Sequence, residues 1–307
     1  MIRENVILFL KGIAMGAANV IPGVSGGTIA FITGIYEDFI SSLKAFDTKA
    51  LSLLLHLKTG EFARHINLRF LTVLMSGVVF SLFTVGKLLD YLFIEFSLYV
   101  WSFFFGLIAV SVLSVGRTIV KWTVPVITWG IVGIVVAVIL ALMTPASENS
   151  NFIYLIICGI VAIASMILPG LSGSFVLILM GNYQLIMLQA IPSLNFSIII
   201  PVAIGAVVGF ILLSHVISFF LKKFHDVTIS TLTGFILGSL IIIWPWKIAY
   251  YLTDTTGNEI LKNGKKIIQG YEWNFPELTL QTLFALFCML AGVSVVLVIE
   301  KLASTRK

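Results

Sequence analysis

The chain has 307 residues, 59% of them hydrophobic and 11% charged, with a mean hydropathy of +1.09. A soluble domain carries about 25% charged residues. Several apolar runs here exceed the roughly 18 residues that mark a membrane-crossing helix, so a soluble enzyme or binding module is excluded and a multi-span all-α membrane protein is expected. The net charge of +5 is spread over short loops and forms no single basic patch, which fits positive-inside placement and speaks against nucleic acid as a partner.

The opening MIRENVILFLKG has no small-residue cleavage site and reads as a retained segment. Residues 6–44 form an apolar pair of arms broken at PGVSGGT. Residues 45–67 place leucines at helical spacing beside Lys49, Lys58 and Arg64, the pattern of an amphipathic helix at the membrane surface. Spans are predicted over 70–87, 97–115 and 123–143. A second broken pair follows over 152–191, then spans over 197–221, 229–250 and 279–300. Cys158 and Cys288 sit in apolar runs, where a thiol behaves as a small hydrophobe. No disulfide, metal site or cofactor is expected, and no Walker A sequence is present.

The two broken pairs are copies. Residues 11–36 align without a gap on residues 158–183, with nine identities that include Pro22/Pro169, Gly23/Gly170, Ser25/Ser172, Gly26/Gly173, Gly34/Gly181 and Tyr36/Tyr183. Beyond the hairpins the match continues at an offset of 128, pairing Gly77 with Gly205 and Gly106 with Gly234. The chain therefore divides into two repeats, 1–147 and 148–307, each a broken hairpin plus three spans. If each hairpin enters and leaves on one side, three crossings per half make the second repeat inverted relative to the first. Arg3, Lys44, Lys49, Lys58, Arg64, Arg69, Arg117, Lys121, Lys222 and Lys223 then fall on one side together with the C-terminal Lys301, Arg306 and Lys307. By that bias both termini are cytoplasmic.

Broken helices at matched positions of an inverted repeat point to a transporter site near the bilayer midplane. The alternative is two ordinary hairpins whose turns reach the far surface, and arms of 17 to 20 residues do not exclude it. Ser25, Gly26, Gly27 and Thr28, with Ser172, Gly173 and Ser174, supply hydroxyls and backbone N–H groups at helix starts, a setting suited to an anion and to phosphate above all. The alternative for each small residue alone is close helix packing. Ionisable groups inside spans are functional candidates: Lys11 and Glu37 in the first hairpin, and Lys87 and His215, which pair at the 128 offset. Lys87 also has a span end to which it can snorkel, and His215 a neighbouring helix to bond. Asn19 is polar within an apolar arm and needs a partner. Glu37 either pairs with Lys11 or carries a proton, and Tyr36 and Tyr183 stand at the matched hinge.

The run K-G-x-x-M-G-x-A-N-x-x-P-G-V-S-G-G-T, followed by G-I-Y-E, resembles a bacterial membrane family long catalogued as a domain of unknown function and now identified with polyprenyl-phosphate translocases of the PopT type. The resemblance extends over both P-G-x-S-G copies and the L-x-G-F-I-L-G-S-L run at 232–240. It implies return of undecaprenyl phosphate from the outer to the inner leaflet of the plasma membrane for reuse in cell-wall synthesis. Its motif positions map onto Lys11, Asn19, Pro22, Gly23, Ser25, Gly26, Gly27, Thr28, Tyr36 and Glu37, then Pro169, Gly170, Ser172, Gly173 and Gly181. His215 departs from an expected Arg. Two rival readings use the same turns: an intramembrane polyprenyl-pyrophosphate phosphatase, which needs an Arg that neither turn contains, and a small-anion transporter.

Overall fold

The computed structural model describes residues 2–20, 24–191, 193–251, 261–262, 265–266 and 268–304. The chain is mostly helical. The first hairpin consists of α1 (Ile2–Val20), α2 (Gly26–Ile32) and α3 (Tyr36–Lys44). Two short helices, α4 (Thr48–Leu55) and α5 (Thr59–His65), lead into α6 (Leu68–Glu95), α7 (Ser97–Gly116) and α8 (Val124–Leu142). The second hairpin is α9 (Phe152–Ile167), α10 (Gly173–Leu179) and a π-helical segment, Gln184–Ala190. It is followed by α11 (Phe196–Lys223), α12 (His225–Ser239) and α13 (Leu280–Ser304). Among the described residues five helices, α6, α7, α8, α11 and α13, are long and apolar enough to cross a membrane. The 28 residues of α6 and of α11 rise about 42 Å, more than the hydrocarbon thickness of about 30 Å.

Packing joins the helices in pairs. α1 lies along α6 and α9 along α11, while α7 lies along α13 and α8 along α12. The first two pairs are local to one half of the chain; the other two exchange partners between halves. Glycines set these contacts. A Cβ on Gly12 would meet the Leu74 carbonyl and one on Gly77 that of Phe9; Gly159 and Gly205 stand in the same way against Val202 and Ile156. All four of those residues are related by the offsets of 147 and 128. The exchanged pairs repeat the device: Gly106 abuts Met289 and Gly292 abuts Phe103, as Gly234 abuts Gly130 and Gly133 abuts Thr231. Small residues are what let membrane helices approach at backbone distance.

Three sequence expectations change. The span over 229–250 is not one helix: α12 stops at Ser239, and residues 240–246 fold as a half-buried turn in which Ile243 is fully enclosed. Pro245 keeps the helix from running on to 250, since it offers no N–H to the Ile241 carbonyl and its ring clashes there. The single surface helix over 45–67 is two, separated where Leu57 takes a left-handed conformation (φ 54°). The resumed arm of each hairpin also breaks again, at Gly34 (φ 69°) and the matched Gly181 (φ 74°). The helical chain further carries a small antiparallel ladder between α12 and α13. Strand β1 (Lys247–Tyr251) pairs with β4 (Ile268–Trp273), and the two-residue strands β2 (Leu261–Lys262) and β3 (Lys265–Lys266) pair within it.

The main core runs through both halves, with Met15, Tyr36, Ile40, Leu74, Ile108 and Ile236 among its buried members. A smaller one, built on Leu155, Cys158, Leu177, Ile186, Ala190 and Ile198, belongs to the second half.

Candidate functional site

Ser25 starts α2 as its N-cap, in extended conformation (φ −116°, ψ 137°), and its oxygen accepts the Gly27 N–H at 3.0 Å. The Gly26 N–H is taken by Asn19 Oδ1 at 2.8 Å, and the Thr28 N–H by the Ser25 carbonyl at 2.9 Å. The first-turn donors expected to meet an anion are thus engaged within the protein in this arrangement, as helix starts require of buried N–H groups.

The two P-G-x-S-G turns are in direct contact. The Ser25 hydroxyl donates to the Met166 and Leu168 carbonyls at 3.1 and 3.2 Å, and the Gly170 N–H donates to Thr28 Oγ1 at 2.8 Å. A Cβ on Gly27 would lie 2.7 Å from the Ile167 carbonyl, so glycine is needed for that approach. Ser25 and Thr28 are each 1% exposed. The second turn is built differently. Ser172 is the N-cap residue of α10 but makes no capping bond; its hydroxyl shares a hydrogen bond of 2.9 Å with Ser174. Pro22 and Gly23 lie outside the described residues.

Beneath the first turn lies a cavity of about 460 Å³. Its walls are Met15 of α1, Phe39 and Leu43 of α3, Phe46, four residues of α6 (Leu68, Leu71, Met75 and Val78), Ile163, Met166 and Ile167 of α9, and Phe210 of α11. Asn19, Thr72 and the backbone of Gly26 and Gly27 form its polar part. The Asn19 oxygen is committed to Gly26, and its NH₂ group has no partner among the described residues. An amide nitrogen has two N–H donors, so this group carries donor capacity at the cavity wall. The matched positions in the second half, Ala162, Ile186, Ala190 and Ile199, are packed together in the smaller core.

The ionisable candidates scatter. Lys11 Nζ donates to the Thr33 carbonyl at 2.6 Å, at the far end of α2. Glu37 is exposed and meets His225 Nε2 at 3.2 Å. His225 Nδ1 in turn lies 3.3 Å from Asp226, whose carboxylate accepts the Lys121 and Val120 N–H groups at 2.9 and 3.3 Å. Those contacts, the Lys121 N–H first and then the His225 side chain, hold the Asp226 carboxyl below the usual carboxylate range. His215 bonds the Ile211 carbonyl of its own helix at 2.8 Å and is not among the cavity's lining residues. Lys87 belongs to α6, and its side chain lies outside the described residues. Tyr36 is 2% exposed and packs edge-on against Phe31, with a hydroxyl that has no partner among the described residues. Tyr183 is half-buried beside the smaller core. Sequence reasoning missed the apolar cavity walls and the tie from Glu37 to His225, which joins residues 188 apart.

In sequence the chain is similar to known proteins. The chain is 39% identical over 298 residues to a polyprenyl-phosphate transporter of Vibrio cholerae, covering 96% of each chain. It is 31% identical over 258 residues to a polyprenyl-phosphate transporter of Staphylococcus aureus, covering 78% of this chain and 86% of that one. No solved structure matches. Residues 15–260 match the model of one family, and with these relatives they place the chain in the undecaprenyl phosphate translocase-like (VCA0040-like) family.

Proposed function

We propose that this chain carries undecaprenyl phosphate from the outer to the inner leaflet of the bacterial plasma membrane by alternating access between two inverted halves. The observation that carries the reading is the cavity: an almost wholly apolar space of about 460 Å³ whose lining includes Asn19, Gly26 and Gly27. Hydrocarbon walls with an amide donor among them, the Asn19 NH₂ group, suit a lipid with a long apolar chain and a small anionic head. The relatives' names supply the substrate class.

The phosphate is held by the Asn19 NH₂ group and by the Ser25 and Thr28 hydroxyls, once Ser25 turns its proton from the Met166 and Leu168 carbonyls. Ser172, Gly173 and Ser174 form the opposing jaw. Lys87 and His215, paired at the 128 offset, are the proposed cations, and His215 serves only when protonated. Satisfying the head group removes the main cost of crossing, because a bare charge in hydrocarbon costs several kcal/mol.

The hairpins are proposed to stop inside the membrane. α2 and α10, seven residues each, rise about 10 Å, well short of the bilayer. Under the positive-inside orientation the cavity wall at Phe46 and Leu68 is on the cytoplasmic side, and the packed counterpart in the second half is the closed side. An open site on one half and a closed one on its copy is what two exchanging access states require. Lys11 at the end of α2, Tyr36 and Tyr183 at the hinges, and Glu37 at His225 are proposed to gate the exchange.

The test is flipping of polyprenyl phosphate by purified protein in liposomes, with Ser25→Ala, Ser172→Ala and Lys87→Gln beside the parent. Reduced flipping is expected from each. Unimpaired flipping by all three would rule out this site, and release of phosphate from polyprenyl pyrophosphate would establish the enzymatic alternative.

A further inference from the structure

About 19 of residues 45–67 have no counterpart in the second half, since the repeat offset drops from 147 to 128 across them. In α4, Leu51, Leu54 and Leu55 lie three and four residues apart and so share one side of the helix. They are 58%, 49% and 72% exposed, and Leu57 just beyond is 83% exposed. Ala50, one turn before Leu54, is buried and Leu53 half-buried, so that edge faces the protein, while Lys49, Ser52 and His56 are exposed on the far flank.

The height of this surface is fixed by its neighbour. α5 ends at His65, and the apolar membrane window of α6 opens at Leu68. The short helices therefore stand next to the start of the stretch of α6 that is apolar enough to cross a membrane. Their charge is one-sided as well: between Lys44 and Arg69 there are five Lys or Arg residues and two acids. Both acids are engaged, Asp47 by the Ala50 N–H and by His65 Nε2 at 2.9 and 3.0 Å, and Glu61 by Lys58 at 3.7 Å. A row of exposed leucines next to Lys49 and Arg64, close to where a candidate span begins, fits hydrocarbon chains beneath negative head groups.

We infer that the α4–α5 unit docks on the anionic lipid surface of the leaflet beside the cavity, with Leu51, Leu54, Leu55 and Leu57 inserted and Lys49 and Arg64 at head-group level. Phe46 and Leu68, at its two ends, both line the cavity. Docking stands apart from the transport reading; only its consequence, that anionic lipids are gathered beside the cavity, rests on that reading.

The experiment places an environment-sensitive fluorophore at Leu55→Cys, and separately at Leu57→Cys, in a Cys288→Ser background, with Ser52→Cys as the reference. The full chain is reconstituted into vesicles with or without phosphatidylglycerol. At 55 and 57, quenching by lipids brominated on the acyl chain and protection from aqueous iodide are expected, with the reverse at 52. Each surface cation contributes about fivefold to partition onto an anionic surface, so Lys49→Gln with Arg64→Gln should abolish most of the dependence on phosphatidylglycerol. Iodide quenching without bromolipid quenching at both 55 and 57 overturns docking. Insertion indifferent to phosphatidylglycerol overturns the anionic partner. Both readouts report depth, not flipping, so failure of this inference and failure of the transport reading are told apart.

Discussion

Ser25 donates its hydroxyl proton to the carbonyl of Met166, 141 residues away, at 3.1 Å, while its oxygen caps α2 through Gly27. One side chain thereby holds a helix start and joins the two halves of the chain. Its copy, Ser172, does neither within the described residues: it caps nothing and bonds Ser174. Ser25→Ala should lower stability by about 1–3 kcal/mol, through the lost cap and the carbonyls left short of a donor. Ser172→Ala should cost clearly less, while both reduce flipping. Thermal unfolding in detergent beside the flipping assay separates the two effects; equal melting shifts would contradict the asymmetry.

Asn19 is proposed to bind phosphate through a donor, not a charge. Asn19→Ala removes that donor and the acceptor for the Gly26 N–H. A hydrogen bond to a charged group contributes about 1.5–3 kcal/mol, so affinity for polyprenyl phosphate should fall about 10- to 100-fold. Asn19→Asp keeps the acceptor for Gly26 but presents a carboxylate to an anion, and should bind more weakly than Asn19→Ala. Competition binding with lipid phosphate ranks the three proteins, and an aspartate variant that binds as well as the parent would remove Asn19 from the phosphate site.

The repeat was legible because its marks are backbone requirements that only certain residues meet. Gly34 and Gly181 both sit at left-handed φ, and Gly12, Gly77, Gly159 and Gly205 all face a carbonyl at close range. The cavity was not legible. In a membrane chain Met15, Phe39 and Leu71 read alike whether they face lipid, a core or a cavity, because all three surroundings are apolar. The end of α12 was hidden for a similar reason, since residues 240–246 stay apolar after the helix has stopped. The Glu37–His225 contact follows no period at all; it comes from α3 packing on α11, whose end leads into His225, which only the tertiary fold reveals.

Gly27→Ala and Met75→Trp probe the site from its two ends. A Cβ on Gly27 would sit 2.7 Å from the Ile167 carbonyl, so the turns must part. Such overpacking costs about 1–3 kcal/mol, and both melting temperature and flipping should fall. Met75 lines the cavity and is 38% exposed, so a larger ring there fills space without displacing the core. Flipping should drop while the melting temperature holds. If Met75→Trp flips lipid at the parent rate, the cavity is not the lipid path.

Asp226 ties the start of α12 to the α7–α8 loop through the Lys121 and Val120 N–H groups. Its carboxyl is held below the usual range, the Lys121 N–H being the main cause. A group depressed in the folded state stabilises the fold above its unfolded pKa, about 3.9 for Asp, and that contribution disappears as pH falls through the lower folded value. Asp226→Asn should therefore lower the melting temperature at neutral pH, and its deficit relative to the parent should shrink only on acidification below about pH 4. Melting curves of both proteins across the acid range test the sign: a deficit that widens on acidification would mean that the carboxylate is not what anchors the loop.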